Sequence, residues 1–450
     1  MSSYEVRLWA IRKRPDRRLP YQLRWVVAGQ EHAESFLTKG LADAFRSELM
    51  GAARAGEPFD EVTGLPASRV RDVNWLEHAC AYVEMKWPRA AAKSRKSMAE
   101  AMTTVTLALL ANRRGRPDDE SLRRALYGWV FSLAHRAGAP PEDLSATLAW
   151  LAGASLPVGA LRDMAVVRRA LDAVSLRIDG TPAAATTVYR KRAVFYNALG
   201  YAVERGLLPT NPIDQVQWSA PEVAETVDRR VVASPRQVGQ LLAAVRTQGR
   251  RGDHLHAFFA TLYYAGLRPS EAIAVRAHNC VLPETGWGRL DLTTSEPRAG
   301  QDWTDDGDAR DARGLKHRSA DEVRSVPIPP VLVGILIAHI KEHGVSADGR
   351  LFRSERGGPL QETAYMRVWR GAREHALSPV QVESPLARRP YDLRHACASL
   401  MLNAGVPATE AARRLGHSVA MLLKRYANCV DGQEQAANER IVAALEGGEV

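Results

Sequence analysis

The stretch ARRPYDLRHACASLMLNAGVPATEAARRLGHSVAMLLKRYANCVDGQ, residues 387–433, decides how the rest of this chain is read. Apolar spacing in HACASLMLNAG predicts a helix that stops at Gly405, Pro407 opens a second that stops at Gly416, and Ser418 caps a third carrying Tyr426. Arg394 then sits just inside a helix start. Tyr426 follows His417 by nine residues and stands beside Lys424 and Arg425. A lone tyrosine on a helix is ordinarily half-buried packing with its hydroxyl at the surface, so its meaning depends on what else the domain supplies. Nine residues of straight helix measure about 13 Å, and His417 and Tyr426 therefore meet only through long side chains or a bend.

Upstream, FFATLYYAGLRPSEAIAV (258–275) repeats the pattern: Gly266 ends one helix, Pro269 enters the first turn of the next, and Arg268 is left at a helix N-terminus. Exposed amides and a guanidinium at one place suit a phosphate, and Glu271 is spaced to brace the arginine. GRLDLTT (288–294) and RSVPIP (324–329) read as strands, which puts Lys316 in or near a hairpin connection. Within that connection Asp302, Thr304, Asp306 and Gly307 fall at calcium-loop positions 1, 3, 5 and 6, but position 12 is Arg313 where a glutamate is required, so the segment is read as an exposed loop without metal.

The chain has 450 residues, 46% of them hydrophobic, enough for two or three domains with packed cores. Its 61 Lys and Arg against 51 Asp and Glu suit a polyanionic partner. Cys80, Cys280, Cys397 and Cys429 are widely spaced and read as reduced thiols, with no zinc pattern. The opening MSSYEVRLWAIRKRPDRR has no apolar signal core, and no run is long enough for a membrane span, so the expected location is cytoplasmic and nucleoid-associated.

Residues 1–65 alternate in YEVRLWAIR and YQLRWVVAG and then turn helical, which predicts a small sheet with one helix. Seven basic residues, including Arg12, Lys13 and Arg14, face two acidic ones within residues 1–30, so the sheet reads either as a DNA-reading face or as a solvated hairpin. Residues 72–217 read as all helical. Lys86, Lys93, Arg95 and Lys96 cluster in one segment, and Arg190, Lys191 and Arg192 in another. A charge run is normally a wet helix face, yet two basic faces in one domain favour phosphate contact. Residues 218–233 read as a linker, and 234–450 as the domain that carries the chemistry.

Taken together, this last region resembles the tyrosine recombinase (phage integrase) family, in the form of a site-specific integrase of actinobacterial type. GLRPSE supplies Arg268 and Glu271, GLKHR supplies Lys316, YDLR supplies Arg394, LGHS supplies His417 and KRYA supplies Tyr426. One position departs: where the family has the first His of His-x-x-Arg, this chain has Tyr391, and His395 lies on the same helical face if the helix includes residue 391.

The resemblance implies a small α+β N-terminal domain, an all-α core-binding domain, and a mainly α catalytic domain with a small antiparallel sheet. It implies that Tyr426 attacks a DNA phosphodiester, forming a 3′-phosphotyrosine and freeing a 5′-hydroxyl, so the bond energy is kept without ATP. Arg268 and Arg394 would hold the equatorial oxygens, His417 would donate a further hydrogen bond, Lys316 would protonate the leaving oxygen, and no cofactor or metal is called for. A cationic pocket is expected to favour the Tyr426 phenolate. The partners implied are double-stranded DNA attachment sites, a tetramer assembled on DNA, an excisionase and a host DNA-bending protein. EQAANERIVAALEGG, with Ala437, Ile441, Val442, Ala444 and Leu445 at helical spacing, reads as a short amphipathic tail helix that docks on its own domain or on a neighbour. A type IB topoisomerase and a noncatalytic DNA-binding regulator stay open as alternatives.

Overall fold

The computed structural model describes residues 2–66, 73–223, 225–316, 322–429, 438–439 and 441–442. The chain divides into two compact units, Met1–Glu222 and Val223–Val450.

In the first unit, β1 (Val6–Leu8), β2 (Arg12–Lys13), β3 (Tyr21–Val27) and β4 (Gln30–Phe36) form an antiparallel sheet in which β3 pairs with the other three. The β3–β4 hairpin turns at Ala28 and Gly29, both with positive φ, the conformation that a two-residue turn between twisted strands requires. Alternation in β3 sends Leu23, Trp25 and Val27 inward, where Phe45 and Leu49 of α1 (Lys39–Arg54) cover them. Arg12 and Lys13 are exposed on β2, while Arg14 is half-buried.

The helices that follow include α2 (Trp75–Lys86), α3 (Ala92–Ala108), α4 (Asp119–Ala125), α5 (Glu142–Ala154), α6 (Met164–Ala173) and α7 (Ala185–Glu204). Trp75 sets its edge against Phe195 at 5.7 Å, joining α2 to α7. Lys86, Lys93, Lys96 and Arg190 are exposed and Arg192 is half-buried, but two of the basic residues assigned to a DNA face belong to the interior. Lys191 is fully buried and donates to Thr104 Oγ1 at 3.0 Å and to the Leu176 carbonyl at 2.7 Å. Arg95 lies over the Trp87 ring and donates Nε to the Trp87 carbonyl at 3.1 Å. A buried charge needs such partners, and these two cations are spent on the fold.

The second unit is built on α8 (Pro235–Arg246), α9 (Gly249–Tyr264) and α10 (Pro269–Ala274). An antiparallel sheet follows, of β5 (Cys280–Val281), β6 (Gly288–Leu292) and β9 (Arg324–Ile328), with β6 central. A second pair, β7 (Thr294–Ser295) with β8 (Arg313–Gly314), extends the hairpin between β6 and β9. The segment read as an exposed loop, between β7 and β8, is anchored: Trp303 and Thr304 are buried, and Thr304 Oγ1 donates to the Asp308 carbonyl at 2.7 Å. Then come α11 (Pro330–His343), α12 (Glu362–Ala376), α13 (Asp392–Asn403), α14 (Ala408–Leu415) and α15 (Val419–Tyr426).

Phe258 and Phe259 of α9, Trp369 of α12, Leu393 of α13 and Leu422 of α15 share one core with Tyr426. Val227 belongs to it too, and its amide donates to the Arg425 carbonyl at 2.8 Å, so the later half of the expected linker is part of this unit. Among the described residues no helix is long and apolar enough to cross a membrane. In the tail, Ile441 and Val442 are exposed, while Ala437, Ala444 and Leu445 lie outside the described residues.

Candidate active site

Glu271 is the hub. Gly266, at φ 60°, turns the chain out of α9, and Arg268 becomes the N-cap of α10 with Pro269 behind it. Glu271 reaches back so that Oε2 accepts the Arg268 amide at 2.8 Å and Oε1 accepts Arg268 Nη1 at 2.6 Å. From β9, Arg324 donates Nη1 to Oε1 at 3.1 Å and Nη2 to Oε2 at 2.8 Å. Arg394 Nη1 stands 4.0 Å from the same carboxylate. Burial alone would raise the Glu271 carboxyl, but Arg324, Arg394 and Arg268 outweigh it and hold the pKa at about 2.

Arg394, in the first turn of α13, is fully buried. Its Nη1 donates to the Gly266 carbonyl, and its Nη2 donates to the Leu415 carbonyl and lies 2.9 Å from His417 Nε2. The guanidinium only donates, so His417 Nε2 accepts and the imidazole proton sits on Nδ1. Burial, then the charges of Arg394 and Arg268, push His417 down to about 3, so the ring is neutral. His417 Nδ1, Arg394 Nε and Arg324 Nε are buried donors without a hydrogen-bond partner among the described residues. Three unspent donors in one interior suit an incoming oxyanion.

The separation of His417 from Tyr426 is resolved by a turn. Gly416 takes the left-handed conformation, φ 62° and ψ 50°, and closes α14. His417 follows it outside any helix, and Ser418 caps α15 by accepting the Met421 amide at 3.2 Å. The chain therefore bends before the helix begins, and the two rings stack at 6.4 Å between centroids.

The Tyr426 hydroxyl lies 2.9 Å from His395 Nδ1, and the side chain is only 1% exposed. Burial pushes its phenol above the ordinary value, and Arg394 and Arg425 offset this only in part. The expectation that the cationic pocket favours the phenolate therefore does not hold in the free protein, because desolvation of an oxyanion outweighs the two charges. Tyr391 precedes α13 with helical dihedrals, its ring 5.1 Å from His395, and it interacts with Arg268.

Lys316 lies just beyond β8 in the hairpin connection and is exposed, so it is not part of the buried cluster, and His317 lies outside the described residues. Arg324 escaped the sequence reading. The signal was there: Arg324 alternates in step with Val326 and Ile328, so a charge was written at an inward position of a strand.

Residues 232–432 match the phage integrase family. No curated protein matches the chain. Among solved structures, the Tn1549 transposon integrase in complex with transposon right end DNA aligns with a TM-score of 0.50 and 15% identity over 81% of this chain and 99% of that one. XerH site-specific recombinase bound to its difH substrate gives 0.47 and 11% over 81% and 94%, and a lambda integrase dimer bound to a core site gives 0.46 and 12% over 92% and 93%. The alignment at a TM-score of 0.50 shows a shared fold. Residues 232–432, within the second unit, thus form a phage integrase family domain.

Proposed function

We propose that this chain is a site-specific recombinase that integrates and excises a mobile element by cutting DNA attachment sites through a 3′-phosphotyrosine on Tyr426. The observation that carries the reading is the convergence of Tyr426, His417 and Arg394 in one interior, tied through Glu271 to Arg268. Arg268, 19% exposed, is the guanidinium open to a phosphate, while Arg394 lends its charge from behind, with its Nη atoms tied to carbonyls. His417 donates Nδ1–H to a non-bridging oxygen. Lys316, on the exposed hairpin, closes over bound DNA and protonates the leaving 5′ oxygen. Attack by a different strand's 5′-hydroxyl then reverses the step and completes the exchange.

The DNA complexes of the Tn1549 integrase support double-stranded DNA as the partner. We assign residues 72–217 to core-site binding through exposed Lys86, Lys93, Lys96 and Arg190, and the sheet of residues 1–65 to a distant arm site through Arg12 and Lys13. A tetramer on DNA, an excisionase and a host DNA-bending protein complete the assembly. Incubation with a nicked core site tests the chemistry: the parent should accumulate a protein–DNA adduct that maps to Tyr426, and Tyr426→Phe should bind the site without forming it. An adduct on another tyrosine would overturn the assignment. Deleting residues 1–65 should spare core cleavage while impairing recombination that depends on arm sites, and equal loss of both would remove the arm role.

A further inference from the structure

Before Tyr426 can bond to phosphorus its hydroxyl must lose a proton, and the phenol sits in an interior that disfavours ionisation. The arginines are permanently protonated and accept nothing. His417 Nε2 is occupied by the Arg394 guanidinium. Tyr391, at the position where the family pattern has a histidine, is a phenol and no better as an acceptor. His395 Nδ1, 2.9 Å from the Tyr426 oxygen and buried with it, is left.

We propose that His395 is the catalytic base of strand cleavage, a proposal that rests on Tyr426 being the nucleophile. In the free chain the Tyr426 hydroxyl donates to Nδ1, with the ring proton on Nε2. As the phenolic oxygen bonds to phosphorus its O–H bond breaks and the proton passes to Nδ1, giving an imidazolium. The bond from phosphorus to the 5′ oxygen breaks, and that oxygen takes a proton from the Lys316 ammonium. On rejoining, a 5′-hydroxyl attacks phosphorus and gives its proton to Lys316, while the imidazolium returns its own to the departing phenolate. No co-reactant is consumed.

The surroundings fit a base that is free when needed. His395 is faced by Tyr391 at the N-cap of its helix, by Arg394 within that helix and by Tyr426 and Arg425 from α15, while Cys397 and the His417 ring interact with Tyr426. Burial, then Arg425 and Arg394, hold it down to about 4, so it is unprotonated at neutral pH. A phosphodiester brought against those arginines screens their charge and adds a negative one, which raises the basicity of His395 when substrate is bound. Arg394 and the base are consecutive residues of the same helix.

Single-turnover cleavage of a nicked core site, read as the Tyr426 adduct, tests this. His395→Asn keeps a polar atom near Nδ1 but takes no proton. Core-site binding should be unchanged while cleavage at pH 7 falls by about 10²-fold, the usual scale for a lost general base. The deficit should shrink as pH rises, because hydroxide then takes the proton that the missing imidazole would have accepted. Replacing Tyr426 by 3-fluorotyrosine, a more acidic phenol, should restore about 10-fold or more in the variant and change the parent little. If the Asn chain loses its melting transition, His395→Gln gives the same readings. A variant as fast as the parent, or a deficit equal at every pH and untouched by fluorination, would make His395 a packing residue. An adduct persisting in Tyr426→Phe would instead overturn the assignment of the nucleophile.

Discussion

Arg324 lays both Nη atoms on the two oxygens of Glu271, at 3.1 and 2.8 Å, with each side chain only 2% exposed. The pair joins a strand to the helix start that presents Arg268, so Arg268 is held by a carboxylate that is itself held. Breaking a buried pair by neutralising one partner leaves uncompensated charge, at a cost of about 3–5 kcal/mol. Glu271→Gln should lose stability on that scale in urea unfolding, since three guanidiniums then face one another, and cleavage should fall with it. Arg324→Met should cost less, because Arg268 and Arg394 still balance the carboxylate. Equal or negligible losses would remove Glu271 as the hub.

Acid should act on the same hub in two windows. His395 and His417, held down to about 4 and about 3, stay neutral in the fold but charge in the unfolded chain below its ordinary 6.5, so their contribution is intact above that pH and declines toward about 4 for His395 and about 3 for His417. Glu271, held at about 2 against an unfolded 4.5, contributes fully above 4.5 and loses that contribution as pH falls to about 2. Unfolding midpoints measured from pH 8 to 2 should show both declines, and Glu271→Gln should flatten only the lower one.

Lys316→Ala should slow cleavage by about 10² or more, the range for a lost general acid. A substrate with a 5′-thiol leaving group should recover much of that rate, since a thiolate leaves without a proton. Absence of rescue would move the acid elsewhere on the hairpin.

Tyr391 tests the departure from the family pattern. Its ring packs on His395 and it interacts with Arg268, so Tyr391→Phe should slow cleavage about 10-fold through one lost hydrogen bond. Tyr391→His should retain activity. A Phe variant as fast as the parent would leave the ring as packing alone.

Gly416→Ala combines backbone and contact effects. The residue is left-handed, costing a side chain about 1–2 kcal/mol, and a Cβ there would run into Arg324 Nη1. Unfolding should register the strain, and cleavage should fall further than stability explains because Arg324 is pushed from Glu271. A loss of stability with unchanged cleavage would uncouple Gly416 from the site.

Helix starts and stops were legible in the residues themselves. Gly266, Pro269, Gly405, Pro407, Gly416 and Ser418 stand where the structure begins and ends its helices, because capping and left-handed turns act over a few neighbouring residues. Tyr426, His417, Arg394 and Arg268 were likewise readable from those boundaries. What required the tertiary structure was the pairing of Arg324 with Glu271, 53 residues apart, and of His395 with Tyr426, 31 apart. So did the burial of Lys191 and Arg95, which in sequence look like their exposed neighbours Arg190 and Lys96. Local preference follows from each residue's own backbone and its near neighbours, but whether a charge meets water or a carboxylate is settled only when another element packs over it, and no spacing along the chain encodes that partner.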